Sequence, residues 1–99
     1  MAVAALLEFP GVTQAQYERV GAQLELTGGP EGILYHACGP VDGGWRIMDI
    51  WVSREAFDRF VDDVYLPAMR AEGGPSPSRR EVVATYHAGN LRGADSPLG

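Results

Sequence analysis

Hydrophobic residues along the chain follow two periods, and the changes between them divide it into six predicted elements. Val3 to Phe9 is almost wholly apolar, which is typical of a central strand covered on both faces. Shorter apolar runs predict three more strands, and apolar residues three and four positions apart predict two helices. In chain order, the elements are a strand over 3–9, a helix after Thr13, strands over 32–39 and 45–52, a helix after Ser53 and a strand over 80–88.

Both predicted helices begin at a residue whose side chain can cap the first turn. Thr13 forms a capping box with Gln16, and Ser53 takes the same place before the second helix. The segment 27–30 is expected to end the first helix. Pro67 lacks a backbone N–H donor, so it should kink the second helix or begin a short final turn. The predicted apolar faces are Tyr17, Val20, Gly21 and Leu24 in the first helix, and Phe57, Phe60, Val61, Val64 and Ala68 in the second.

The element order βαββαβ predicts an α+β, ferredoxin-like split βαβ domain with a four-stranded antiparallel sheet. In this topology the strands lie in the order fourth, first, third, second, and both helices cover one face. The first and fourth strands are apolar on both sides, so the other face needs a cover too, and the sheet of a second copy is the simplest one. We therefore expect one domain over 1–88, a flexible tail over 89–99 and a homodimer.

The composition narrows the range of partners. The 99 residues are 45% hydrophobic and 21% charged, as in ordinary globular domains, and the net charge of −5 argues against nucleic acid as a partner. No run reaches the ~20 apolar residues of a membrane span, and the short apolar N-terminus lacks the basic residues of a signal peptide. We expect a cytoplasmic protein that does not bind membranes. The sequence lacks a phosphate loop and a dinucleotide fingerprint, so nucleotide and flavin cofactors are not expected.

The predicted hairpin between the second and third strands places a histidine beside an aspartate. A two-residue loop at Asp42-Gly43 pairs Val41 with Gly44 and sets His36 directly opposite Asp49. A four-residue loop leaves them diagonal neighbours on the same face, whereas a three-residue loop or a bulge would separate them. The residues expected to share this face are Leu34, His36, Cys38, Trp45, Ile47, Asp49 and Trp51.

A histidine beside a carboxylate has two interpretations, and both remain open at this point. The carboxylate of Asp49 would favour the imidazolium form of His36 and raise its pKa, so the pair could take a proton from a phenol, an enol or an α-carbon. Alternatively, the pair is a structural hydrogen bond that satisfies two polar groups between strands.

Histidine and carboxylate side chains can also bind a metal ion. His36, Asp49 and His87 nominally form a two-His, one-carboxylate set. The predicted strand order separates the second and fourth strands by three places, or ~14 Å at ~4.8 Å per strand, so no metal is expected. The single cysteine, Cys38, is expected to be a small buried hydrophobe that forms no internal disulfide.

The stretch from Trp45 to Phe57, in which a strand ends at a tryptophan just before a capped helix, resembles the dimeric α/β-barrel superfamily. Within that superfamily, the chain is similar to the antibiotic-biosynthesis-monooxygenase-like proteins. The resemblance implies a homodimer, a pocket between each sheet and its own helices, and a Trp51 side chain that points into the pocket. It also implies oxygenation of an electron-rich, deprotonated ring. Some relatives degrade haem with a helix His and a strand-one Asn. This chain has no His over 65–70 and no Asn over 3–9, so haem is not expected.

Three aromatic residues are candidates for the wall of such a pocket. Trp51 and Trp45 lie on the face of His36, although tryptophans in such places more often belong to a core or a dimer rim. Tyr65 would offer a hydroxyl if it faced the pocket, but a partly exposed position is the simpler expectation. Tyr35 falls on the opposite face, where we expect the dimer interface.

Two hypotheses about function follow. The first is a cofactor-independent, monooxygenase-like enzyme acting on a small aromatic or polyketide-like molecule, with His36 as general base and Asp49 orienting it. Its substrate-binding residues would be Trp51, Tyr65 and Trp45, and the same base would serve a cyclase, isomerase or lyase of natural-product biosynthesis. The second hypothesis is a non-catalytic dimeric ligand-binding module, because a fold does not determine a function.

Overall fold

The computed structural model describes residues 1–25 and 29–89, and it contains the predicted elements in the predicted order. The strands are β1 (Val3–Pro10), β2 (Ile33–Val41), β3 (Gly44–Trp51) and β4 (Arg79–Ala84). The helices are α1 (Gln14–Glu25), α2 (Arg54–Phe60) and α3 (Leu66–Ala71), and a π-helical turn over Val61–Tyr65 joins the last two. Part of the predicted stop of the first helix (27–28) and most of the predicted tail (90–99) lie outside the described residues.

The strands of the described residues form one antiparallel sheet in the order β2-β3-β1-β4, as expected for the split βαβ topology. Thr13 and Ser53 accept backbone N–H bonds from the first turns of α1 and α2, so both predicted caps are present. None of the helices within 1–25 and 29–89 is long and apolar enough to cross a membrane. The α+β, ferredoxin-like fold predicted from the sequence is thus confirmed.

The fourth strand is shorter than the predicted span of 80–88. Ala84 pairs with Val3, the first residue of β1, and the ladder ends there because β1 offers no further partner. Thr85 then donates its backbone N–H and its hydroxyl to the carbonyl of Ala2.

Alternating residues of the sheet face two different environments. The side chains of β1 and β3 that point toward the helices are buried, and they meet Val20 of α1 and Phe57 of α2 in the core, whereas His36 of β2, on the same side, is exposed. The side chains that point away form what we call the outer face, which consists of Ala4, Leu6, Glu8, Tyr35, Ala37, Arg46, Met48, Ile50, Arg79, Glu81 and Val83. Several of its large apolar residues, including Met48 and Tyr35, are exposed in the single chain.

The π-helical turn changes which side of the second helix is buried. The backbone N–H of Leu66 bonds to the carbonyl of Val61, five residues earlier, so the turn holds one residue more than an α-helical turn. Val61 and Tyr65 are therefore buried, while Val64, predicted to lie on the apolar face, is only half-buried. Pro67 stands in the first turn of α3, so of its two predicted effects, a kink or the start of a short final turn, the second is found.

A bulge in β2 corrects the predicted face of Leu34. Ile33 pairs with Trp51 and Tyr35 pairs with Ile50, so Leu34 has no partner in the ladder and is exposed. Ile33 takes the inward place that the sequence assigned to Leu34. Beyond the bulge the predicted register holds, with a two-residue loop between Val41 and Gly44.

Gly44 is expected to be essential for the close approach of β1 and β3. A Cβ atom at Gly44 would overlap the backbone carbonyl of Phe9, and backbone cannot move aside cheaply. We therefore expect Gly44→Ala to lower the free energy of unfolding by about 1–3 kcal/mol, measured by urea denaturation. The control is Gly21→Ala in α1, where nothing lies within 4 Å of the new Cβ, and which should be neutral or stabilising by up to ~1 kcal/mol. Equal stability of the two variants would contradict this explanation.

Candidate functional site

A cavity of about 300 Å³ lies between the sheet and the helices. Its wall is predominantly apolar, and five of its side chains carry polar atoms. A small volume with a few convergent polar groups is typical of a small-molecule site. The apolar part of the wall is Leu7, Leu24, Pro30, Ile33, Ile47, Phe60 and Val61. The side chains with polar atoms are Tyr17, His36, Asp49, Trp51 and Tyr65. The indole N–H of Trp51 donates to Asp49.

His36 and Asp49 form the polar centre of this wall. They are directly paired across β2 and β3, and Nδ1 of His36 lies 2.7 Å from Oδ1 of Asp49. Asp49 is only 8% exposed, and its second oxygen accepts a hydrogen bond of 3.3 Å from the indole N–H of Trp51. Both oxygens of the buried carboxylate therefore have a partner, as buried charge requires.

The carboxylate determines the protonation of the imidazole. An ionised Asp49 can only accept, so Nδ1 of His36 carries the proton of their bond, and Nε2 is the nitrogen that is free of a proton in the neutral ring. The hydrogen bond to Asp49 raises the pKa of His36 above its ordinary value near 6.5, and partial burial opposes this rise. The associated stabilisation is present below pH ~6.5 and is lost as the pH rises through the folded-state pKa.

Tyr17 completes the group, although the sequence analysis had assigned it only to the apolar face of α1. Its hydroxyl oxygen lies 2.8 Å from Nε2 of His36, and its ring stacks on Trp45 with centroids 5.1 Å apart. Burial raises the pKa of Tyr17, with a further contribution from the neighbouring thiol of Cys38. A tyrosine on the inward face of a helix was the available signal, because its hydroxyl must then meet the sheet.

Tyr65 is more deeply placed than the sequence suggested. It is 6% exposed rather than partly exposed, because the π-helical turn rotates it inward. Its hydroxyl is buried and has no hydrogen-bond partner among the described residues. Burial also raises the pKa of Tyr65, so the hydroxyl stays protonated.

The other predicted residues divide between the cavity and its surroundings. Trp51 lies in the cavity wall, whereas Trp45, also predicted to line it, does not, because the ring of Tyr17 stacks on Trp45 and lines the wall in its place. Cys38 is half-buried against the core beside Tyr17, and His87 is exposed. Within 1–25 and 29–89, no three His, Cys, Asp or Glu side chains lie close enough together to hold a metal ion.

Solved structures show the same fold. SnoaB of Streptomyces nogalater, described as a cofactor-independent oxygenase, is 19% identical with a TM-score of 0.61 over 88% of this chain and 95% of its own. Rv0793 of Mycobacterium tuberculosis is 19% identical with a TM-score of 0.62, and the match covers 91% of this chain and 100% of Rv0793. A provisionally assigned antibiotic biosynthesis monooxygenase of Chloroflexus aurantiacus is 10% identical with a TM-score of 0.59, and the match covers 90% of this chain and 98% of that protein.

These likenesses confirm, at the level of the fold, the resemblance noted in the sequence. No family model and no curated protein matches the sequence. At such low identity the shared architecture does not carry over a reaction, so function has to be argued from the site itself.

We expect Asp49→Asn to lower the pKa of His36. A neutral amide no longer favours the imidazolium, while the burial that opposes it remains. The measurement is an NMR titration of the His36 ring in the two proteins. An unchanged pKa of His36 in the variant would show that the carboxylate does not act on the ring as described.

Proposed function

We propose that this protein is a cofactor-independent enzyme that oxygenates a small aromatic or polyketide-like molecule, with His36 as general base and Asp49 as its orienting partner. The observation that carries the proposal is the 2.7 Å bond between these side chains in the wall of an apolar cavity. A base of raised pKa, held in one tautomer and facing a ligand-sized space, is suited to proton removal near neutral pH.

Proton removal prepares the substrate for oxygen. When an O–H bond of an aromatic or enolic substrate breaks, the proton goes to Nε2 of His36, and Asp49 stabilises the resulting imidazolium. The substrate anion is electron-rich and can itself reduce O₂. One oxygen atom then enters the product and the other leaves as water, so the substrate supplies the electrons and no separate reductant is needed. The fold shared with SnoaB, described as a cofactor-independent oxygenase, supports this choice of reaction.

The wall of the cavity favours a neutral, flat substrate. The rings of Trp51, Phe60 and Tyr65 offer aromatic surface, and the centroids of Trp51 and Phe60 are 5.6 Å apart. Among the described residues of the wall, the only charged pair is His36 and Asp49, which compensate each other. A carboxylate or phosphate would therefore find no cation of its own in this wall.

The working unit of the proposal is a homodimer formed through the outer face. Met48 and Tyr35 are exposed there beside a cluster of charges, in which Glu8 bonds Arg46 and Arg79, and Arg79 also bonds Glu81. Two negative and two positive side chains cancel, so this face carries no net charge in a chain of net charge −5. Two copies can thus meet here without the repulsion that their remaining surfaces would cause.

The enzymatic proposal is tested by a panel of polyphenolic and polyketide-like compounds, incubated with and without oxygen. We expect oxygen-dependent turnover without any added cofactor, and a fall in kcat of about 10²-fold or more in His36→Ala because the base is lost. The matched control is His87→Ala, since the exposed second histidine lies away from the cavity and should not affect turnover.

Each alternative has its own result in that experiment. Equal turnover with and without oxygen, still dependent on His36, would replace oxygenation by cyclisation, isomerisation or elimination. Turnover that survives His36→Ala would contradict the role of the base. Binding of panel compounds without any turnover would favour the ligand-binding module.

The dimer is tested with a charge placed in the middle of the outer face. Met48 is 41% exposed in the single chain, and Met48→Asp would place an unpaired carboxylate in each half of a self-complementary interface. We expect this variant to sediment as a monomer in analytical ultracentrifugation, whereas the original chain sediments as a dimer. Ala15→Asp, which adds the same charge at an exposed position of α1, should remain a dimer. A monomeric original chain, or a dimeric Met48→Asp variant, would rule out this interface.

A further inference from the structure

We propose that Tyr17 is the catalytic residue that meets the substrate, and that it relays the substrate proton to His36 rather than leaving His36 to take it directly. The inference rests on the proposed role of His36 and Asp49 as a base. It extends that base to a chain of three groups from three elements: Tyr17 of α1, His36 of β2 and Asp49 of β3.

The positions of the hydrogen-bonding atoms support this order. Asp49 occupies Nδ1 of His36, so Nε2 is the only ring nitrogen left to receive a proton. The hydroxyl of Tyr17 already lies 2.8 Å from Nε2, and Tyr17 itself lines the cavity. A substrate in the cavity must therefore either displace this hydroxyl or use it as its contact.

Displacement is disfavoured because the side chains at both ends of the bond are held in place. The ring of Tyr17 projects from the first turn of α1, whose backbone is fixed by the bond from the Tyr17 N–H to the carbonyl of Thr13, and it stacks on the buried Trp45 at an interplanar angle of 28°. His36 is held by its bond to Asp49, which Trp51 fixes in turn. Because the hydroxyl of Tyr17 donates its hydrogen to Nε2, its oxygen can accept a hydrogen bond from a substrate.

The relay transfers two protons in one step. The O–H bond of the substrate breaks as its proton forms a new O–H bond at Tyr17, while the original proton of Tyr17 moves to Nε2 of His36. The products are the substrate anion, a neutral tyrosine and an imidazolium ion bonded to Asp49. Because burial raises the pKa of Tyr17, a free tyrosinate is disfavoured and the two transfers should be concerted.

This arrangement favours one class of acid as substrate. Proton relay through a hydroxyl requires a hydrogen bond at each end, and phenols and enols donate such bonds whereas carbon acids donate only weak ones. The group that Tyr17 meets is therefore a phenolic or enolic hydroxyl.

The test uses 4-nitrophenol, a neutral phenol whose anion absorbs visible light. At a pH at which the free phenol is mostly protonated, binding to the original protein should increase the absorbance of the anion. We expect Tyr17→Phe to reduce this increase at least 10-fold, while quenching of tryptophan fluorescence shows that the phenol still binds. Phe keeps the ring on Trp45, and ¹⁵N NMR of the variant should still find the proton on Nδ1 of His36. The control is Tyr86→Phe, whose tyrosine is fully exposed.

A parallel His36→Ala variant separates the relay from the base. Loss of the signal in both variants is the expected result. A signal that persists in Tyr17→Phe but is lost in His36→Ala would overturn the relay and leave the base intact. A signal that persists in both would overturn the relay and the base together, and so would a failure of the original protein to bind or ionise the phenol.

Discussion

The carboxylate of Asp49 is the charge around which this site is built. It lies on the buried face of the sheet, where an ionised group without partners would be strongly destabilising. His36 and Trp51 each donate a hydrogen bond to one of its oxygens, and both depend on the register of the strands. A slip of one residue in β2 would turn His36 to the outer face and leave Asp49 without this partner. The register of the hairpin therefore keeps the charged Asp49 paired with His36, and this charge in turn determines the tautomer and raises the pKa of His36.

The parts of the fold and site that follow local rules were accessible from the sequence. The Asp42-Gly43 turn determines the register of its hairpin, and the two-residue period of strands then places His36 opposite Asp49. The bulge at Leu34 and the π-helical turn before Pro67 were not accessible. Each inserts one residue into a regular element, and the choice of place depends on packing between distant parts of the chain.

Tyr17 illustrates a different limit of sequence reasoning. Its position on the inward face of α1 follows from helical spacing, but its contact with Nε2 of His36 depends on the distance between a helix and an edge strand. The side chains between the helix and the strand, among them Trp45, determine that distance. The periodicity of hydrophobic residues along the chain does not describe it. In our proposal, the two faces of the sheet thus have separate roles: the inner face presents the groups that transfer the proton, and the outer face contacts a second copy.

The pH dependence of turnover is the most direct test of the central claim, that a His36–Asp49 pair takes the proton of the substrate. In a base-dependent reaction, kcat/KM reports the pKa of the base in the free enzyme. We expect kcat/KM to rise with pH through the pKa found for His36 by NMR, above 6.5, and this rise to move to lower pH in Asp49→Asn. A rise that does not follow the pKa of His36 in the two proteins would show that the pair is not the base.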